Sequence, residues 1–425
     1  MKNYQRSALA VLLICIIIQA CKQNSSKGML NGTYIADTSM LQTIKIDPAL
    51  AAEEVLSSSV FDSILYLPLE TTSQSMFSEV SQLEVTKDFY IILDVATKSI
   101  LFFNKEGKFH SKITNDNKNN EVTFSKLHGF TVDENKNEII INDVYSNKEY
   151  VYDFEGKYLR FTNRSVRSES CTYLGNDRFI ASRSVDLMLY KADTVFFSNN
   201  KDAEFSRVIT YGESGSPDRW YLPVDTSVFE LNELYNVDQN FFTGLNGGTF
   251  FSLPYDYRIY EIDSVGQFKN NFKLILPEEL SLPSDFMYND NYKHKRIKFL
   301  DNNKEIVYAI TDFYQIGDQA IFRSVSGNDL YANYLYHLKT KRLLKVDHII
   351  SDKLSYKLPI FGKRVHSATK EHALISSLDA AQLFRVKVFI GADPEWEQQI
   401  PEKLKIFYRG NNLQNPVLVM LYLKK

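Results

Sequence analysis

Cysteine is nearly absent: the chain has three in 425 residues, Cys15, Cys21 and Cys171. Cys15 falls in an apolar leader and Cys21 at its end, so one thiol remains for the body of the chain and no intrachain disulfide can staple it. Stability must come from a large buried core, which a chain of this length can build. An excess of one charge sign is missing too, with a formal net charge of −3, or about −5 once residues 1–20 are set aside. That balance excludes a polyanion binder acting through bulk charge, and no nucleic-acid partner is expected. Histidine is sparse, seven residues at 110, 128, 294, 337, 348, 366 and 372, with no HExxH pattern and no cysteine pair. A zinc site encoded by local spacing is therefore not expected, and no cofactor is expected.

Long apolar runs are confined to the beginning. Lys2 and Arg6 precede an apolar stretch from Ala8 to Ile18, too short for a permanent membrane span and flanked as an export signal is. It ends in Ile18-Gln19-Ala20-Cys21, which resembles a lipobox: cleavage before the cysteine would leave Cys21 acylated, with palmitate or a similar chain. Several acyl chains hold a protein far more firmly than one, since each buried methylene contributes about 0.8 kcal/mol. The expected divisions are a signal peptide over 1–20, a lipidated flexible tether over 21–43 and one folded domain over 44–425. Lys22 does not resemble an inner-membrane retention signal, and no acidic run follows it. The expected address is the outer membrane, with the periplasmic side favoured over the cell surface.

What the sequence does have is repetition. Asp94, Lys98-Ser99 and Phe103-Asn104-Lys105-Glu106-Gly107-Lys108-Phe109 return 49 residues later as Asp143, Asn147-Lys148 and Tyr152-Asp153-Phe154-Glu155-Gly156-Lys157-Tyr158. Alternating apolar residues around a Glu-Gly step encode a β-hairpin, and hairpins repeated at that period encode propeller blades. Aromatic content of 13% also leans towards sheet.

The first blade is predicted over Val80–Val85, Phe89–Asp94, Ser99–Asn104 and Phe109–Ile113, and the second from about Leu127 to Phe161. A third is expected in Ser170–Asn199, with strands at 172–174, Arg178–Ser182 and Leu187–Lys191. A fourth covers Tyr235–Leu276 and a fifth Ile306–Val346. The sixth is assembled from Ala373–Ser377, Leu383–Ile390 and Val417–Leu423. Residues 277–302 and 393–407 break the rhythm and are read as helical insertions, the latter because Trp396, Ile400 and Leu404 fall at helical spacing. A ring of blades has open edges unless its ends join. The incomplete strands Ile64–Leu69 and Val417–Leu423 are therefore expected in one sheet, closing an all-β, six-bladed β-propeller with small helical insertions.

The segments Leu65-Tyr66-Leu67-Pro68-Leu69-Glu70-Thr71-Thr72, Phe89 to Asp94, Phe102 to Phe109 and Asn415-Pro416-Val417-Leu418-Val419 together resemble the six-bladed β-propeller lipoproteins related to NHL-repeat proteins. The resemblance implies the architecture, lipidation and a binding role for exported proteins of mostly undefined activity. One departure is visible: where that family typically carries a glycine-rich loop after the first blade, Asn115 to Phe124 holds no glycine.

Candidate site residues are few. His128, beside Gly129 at the start of the second blade, is placed for a ligand assembled across blades, or for an ordinary hydrogen-bonded role. Trp220, Tyr255 and Tyr257 read as loop aromatics able to stack on a glycan or peptide, or to pack at the rim. Asp133, Asn135 and Asn137 have the first spacing of a calcium loop, but Glu138 stands where glycine is needed, so a hairpin turn is expected. The oxygen-rich stretch Asn115–Glu121 reads as a solvated loop, and Lys293-His294-Lys295-Arg296 as a solvated helical face. Gly212 to Ser216 lacks the Gly-x-Ser-x-Gly frame. No catalytic set is legible. The function expected is ligand or partner binding at one face of the disc, the partner being the membrane through Cys21 together with a glycan, peptide or protein. A lyase, lactonase or glycosidase in the central funnel, or a non-catalytic scaffold of an outer-membrane assembly, are the alternatives.

Overall fold

Tight turns at the rim show how local sequence builds this molecule. In Asn104–Lys108, Asp153–Lys157, Gly212–Ser216 and Asp263–Gln267 the fourth residue is glycine, and its N–H donates to the carbonyl of the first at 2.9–3.0 Å. Each glycine has positive φ, from 69° to 85°, the region open to glycine at least cost. Asn104, Asp153 and Asp263 fix the turn further, each side-chain Oδ1 accepting from the N–H four residues on at 2.8–2.9 Å. A Cβ on Gly107 would lie 2.6 Å from the Pro68 carbonyl and one on Gly156 2.8 Å from that of Lys112. The hairpin of one blade thus rests on the last strand of the blade before it.

The computed structural model describes residues 33–34, 41–51, 53–114, 124–125, 127–183, 198, 206–223, 241–243, 248–264, 266–327, 331–369, 371–390 and 394–424. Six sheets, each built on four antiparallel strands, form the blades of a six-bladed β-propeller. Blade one comprises Gln82–Val85, Phe89–Asp94, Ser99–Asn104 and Phe109–Thr114, and blade two Phe130–Asp133, Glu138–Asp143, Lys148–Asp153 and Tyr158–Asn163. Blade three comprises Ser170–Gly175, Arg178–Ser182, Ser206–Gly212 and Pro217–Pro223, and blade four Phe241–Thr243, Thr249–Ser252, Arg258–Ile262 and Phe268–Ile275. Blade five comprises Val307–Ile316, Gln319–Ser326, Tyr331–His337 and Leu343–Lys345.

Blade six closes the ring: Val365–Ala368, Ala373–Leu378 and Val417–Leu423 are completed by the N-terminal Phe61–Pro68 as outermost strand. Leu418 stands opposite Leu67 in that antiparallel pair, the closure expected from the sequence. Apolar residues on facing sheets fill the gaps between blades, as where Ile91, Ile100 and Phe102 of blade one pack with Ile139, Ile141 and Tyr152 of blade two.

The repeated aspartates have a structural task. Asp94 and Asp143 are fully buried. Asp94 accepts from the Ser78 and Ala96 N–H groups and from Thr97, at 2.8–3.1 Å. Asp143 accepts from the Ser125 and Tyr145 N–H groups and from Ser146, at 2.7–3.2 Å. Each carboxylate ties the entry of its blade to the turn after the second strand, satisfying backbone donors that burial would leave costly.

The N-terminal segment does more than close the last blade. Thr33–Tyr34, inside the stretch expected as tether, pairs parallel with Trp220–Tyr221 of blade three, and Gln42–Lys45 with Phe272–Ile275 of blade four. Val55–Leu56 then pairs with Ile349–Ile350, just after blade five, before the chain enters blade six. A strap runs round the rim and covers outer strand edges that would otherwise template association.

Three expectations are corrected. Leu383–Ile390 is not a strand: Ala380–Ile390 is a helix, because the closing sheet is already filled by Val365–Ala368, which the sequence reading missed. The outer strands of blade three are Ser206–Gly212 and Pro217–Pro223, while Leu187–Lys191 lies outside the described residues. The basic stretch 293–296 is not wholly solvated, since Arg296 is buried with its guanidinium donating to the Phe286 and Met287 carbonyls at 3.2 Å. Both insertions are helical in part. Residues 394–399 and 402–407 form two short helices with Trp396, Ile400 and Leu404 buried, and 277–302 holds two 3-10 turns and the helix Arg296–Asn302.

Candidate functional site: the axial cavity

In blade one Leu83 joins the apolar packing while Gln82 and Glu84 face a cavity of about 930 Å³. Every blade contributes to its wall: Gln82 and Glu84, Phe130, Ser170 to Thr172, Phe241, Arg323, and Arg364 with His366. This is the central funnel. Gln82 also joins two inner strands, its amide Nε2 donating to the Phe130 carbonyl at 2.8 Å and its Oε1 accepting from the Phe130 N–H at 3.1 Å.

Positive charge in the wall is concentrated on the side of blades five and six, in Arg323, Lys363 and Arg364. Asp312 lies in the inner strand of blade five, 1% exposed, with φ of 51° at an irregularity between Thr311 and Tyr314. Left-handed backbone at a non-glycine residue is a strained feature that surrounding structure must hold in place. Here it sets the carboxylate between two guanidiniums, Arg323 at 2.7 Å and Arg364 at 2.7 Å. Both arginines line the cavity. His366, on the inner strand of blade six, pairs through Nε2 with Ser377 Oγ at 2.8 Å. Burial, reinforced by the charges of Arg364 and Arg323, holds its pKa well below the ordinary imidazole value, so the ring is neutral at pH 7.

Glu84 sits in this wall with Gln82 Nε2 donating to it at 3.1 Å. Burial pushes its carboxyl up to about 7, partly countered by that hydrogen bond. Between about pH 4.5 and pH 7 the folded protein therefore keeps a proton that the unfolded chain has released. Stability from this group is complete below pH 4.5 and is lost as pH rises through 7. Glu84→Gln is expected to remove that dependence and to stabilise the protein at pH 8 by up to about 3 kcal/mol. Urea unfolding at pH 5 and pH 8 measures it; an unchanged difference between the two pH values in the variant would show that Glu84 does not titrate there.

The sequence candidates separate. His128 is an exposed residue on the cavity wall. Trp220 is not in a loop: it lies in the fourth strand of blade three, 6% exposed, packed with Ile140, Phe179 and Ile209. Tyr255 stacks on Phe286 and Tyr308. Tyr257 donates to the Val307 carbonyl at 2.6 Å and accepts from the Leu282 N–H at 2.8 Å. Both tyrosines seat the 277–302 insertion. Asp133 serves its turn, accepting from the Asn135 N–H at 3.1 Å. Cys21 lies outside the described residues. Cys171 reaches the cavity wall, but burial raises its thiol to about 12, so it is no nucleophile at neutral pH. Among the described residues no three His, Cys, Asp or Glu side chains are placed to hold a metal ion.

The residues that sequence reading missed are Glu84, Asp312, Arg323, Arg364 and His366. The signal was present in one case: Asp312 is the one charged residue within the apolar run Val307–Ile316.

Comparison with known proteins fits this architecture. A family model described as Domain of unknown function (DUF4934) matches residues 41–422. No curated protein matches the chain. A crystal structure of a Bacteroides fragilis protein assigned as exported aligns with a TM-score of 0.69 at 16% identity, covering 91% of this chain and 100% of that one. A Bacteroides vulgatus protein of the DUF4221 family aligns with a TM-score of 0.45 at 10% identity, over 86% of this chain and 97% of that one. No helix among the described residues is long and apolar enough to cross a membrane.

Proposed function

The chain belongs to the family described as Domain of unknown function (DUF4934), a membership that supplies no activity, and we propose from its own geometry that it is an exported, lipid-anchored propeller that binds a ligand in its axial cavity. The observation that carries the binding reading is the cavity itself, with polar, aromatic and charged side chains brought together from all six blades. Ligand sites are concave, enclosed and equipped with a few convergent polar groups. The lipoprotein reading, of the kind related to NHL-repeat proteins, is supported by Ile18-Gln19-Ala20-Cys21 and by the exported assignment of the B. fragilis protein. Acylation at Cys21 would place the protein at the outer membrane on its periplasmic side. The dozen residues from Cys21 to the strap strand at Thr33 reach at most about 40 Å, keeping the rim of blade three near the bilayer.

Labelled palmitate should enter the wild-type protein and not Cys21→Ser; label in both would remove the anchor assignment. Binding is tested on the acylated protein in detergent by thermal shift against sugars, short peptides and divalent ions. A ligand that binds only the folded state stabilises it by mass action, by about 2.7 kcal/mol at a hundredfold excess over Kd, and so raises the melting point. The shift should disappear in Ser81→Trp, which plugs the cavity wall. Shifts of equal size in both proteins, or in neither, would count against the cavity as the binding site.

A further inference from the structure

We propose that the axial cavity holds a serine–histidine pair that cleaves carboxylic esters, with Ser377 as nucleophile and His366 as its general base; this rests on the reading of the cavity as a ligand site. Both residues line it, and His366 Nε2 stands 2.8 Å from Ser377 Oγ, within the reach that proton transfer to a base requires. Other serines of the wall are engaged differently. Ser78 and Ser81 donate to the carboxylates of Asp94 and Glu79, and Ser170 pairs with Ser182.

Local structure aims the imidazole. Val365 pairs with Ser376 and Ser367 with Ile375, so the register shifts at His366 and leaves it as the extra residue of a β-bulge, a device that re-aims a side chain. Tyr314 of blade five donates to the His366 carbonyl at 2.8 Å and holds the bulge in place. The pair is costly as a mere link, because the backbone ladder already joins these two strands. His366 Nδ1 is buried with no hydrogen-bond partner among the described residues, a loss of about 1–3 kcal/mol that an apolar side chain would not incur. A polar pair retained at that cost in a cavity wall is accounted for by the chemistry it performs.

The reaction balances with water as second reactant. Ser377 Oγ attacks the ester carbonyl carbon as its proton passes to His366 Nε2 and the carbonyl π pair moves to oxygen. Collapse of that adduct breaks the bond to the alkoxy group, which leaves as an alcohol carrying the proton from Nε2. Water then adds to the acyl-serine and gives a proton to Nε2; the carboxylic acid departs as Ser377 Oγ takes that proton back. The charged and titratable groups around His366 are Arg364 and Arg323 with Asp312 between them, Tyr314, and on the cavity wall Glu84, Lys363 and Asp379. Burial and the two guanidiniums keep the ring unprotonated. Its basic form therefore persists into acid, where an ordinary imidazole, with a pKa of about 6.5, is protonated.

The test is labelling of the full acylated protein in detergent with a fluorophosphonate, whose fluoride Ser377 Oγ displaces, followed by peptide mapping. Label should fall on Ser377. Ser377→Ala should lose both the label and hydrolysis of 4-nitrophenyl butyrate while keeping the wild-type urea midpoint. His366→Gln should label about 10²–10⁴-fold more slowly, and the serine variant keeps the test open if the glutamine variant does not fold. The wild-type labelling rate should be equal at pH 5.5 and pH 7.5, whereas a base of ordinary pKa would lose about tenfold. Absence of label, label at another residue, or a tenfold slower reaction at pH 5.5 would overturn the proposal. Each of these outcomes leaves the cavity reading standing, and the thermal-shift screen decides that reading separately.

Discussion

Deleting Val417–Lys425 is expected to unfold the whole propeller and not merely to trim an edge. Val417–Leu423 is an interior strand of the closing blade, paired on one side with Ala373–Leu378 and on the other with Phe61–Pro68. Six of its seven residues are buried. At about 1.5–3 kcal/mol for each large apolar side chain, the burial lost is on the order of 10 kcal/mol, comparable with the entire net stability of a typical domain, about 5–15 kcal/mol. The N-terminal strand would lose its partner as well, and the strap along blades three to five would be held at one end alone. Circular dichroism and urea unfolding of the truncated protein read this directly. A cooperative transition close to the wild-type midpoint would mean that the ring does not depend on its clasp.

The second large effect is expected from Asp312→Asn. Asparagine tolerates left-handed backbone and is nearly isosteric, so the substitution removes charge with little change of shape. Arg323 and Arg364 would then be two buried cations without their shared carboxylate, a loss of the kind that costs about 3–5 kcal/mol. Urea unfolding should show the midpoint falling with an unchanged slope. Part of the loss should return in sulfate compared with chloride at matched ionic strength, because sulfate can take the place of the missing anion. A change below about 1 kcal/mol would show that the pair is solvated and that the axial charge has been misread.

Much of the architecture was legible because hairpins are local. The glycine and the aspartate or asparagine of the outer turns in blades one, two and four act within five residues, so the 49-residue echo of Phe103–Phe109 in Tyr152–Tyr158 could be recognised without any tertiary information. Even the clasp could be inferred, since Leu67 and Leu418 lie on strands that would otherwise lack partners. Legibility failed where alternation is ambiguous. Phe384-Arg385-Val386-Lys387-Val388 alternates as a strand does, yet no edge remained in a sheet already holding four strands, and the segment became a helix with Leu383 buried and Phe389 87% exposed. Trp220 looked like a loop residue because the chain before it, Pro217-Asp218-Arg219, carries turn-forming residue types, but register with Ser206–Gly212 makes it part of a strand.

By itself, then, the sequence determined the repeating hairpins and the closure of the ring, properties encoded by neighbours in the chain or by strands left without partners. Only the tertiary structure decided the axial site. Glu84, Arg323 and Arg364 come from strands or approaches to strands in blades one, five and six, and no spacing along the chain relates them. Alternation says that a side chain points to one face or the other; which side chains border the axis depends on the circular packing of six sheets, and that packing puts an acid with a raised pKa into the wall of the same cavity as two arginines sharing one aspartate.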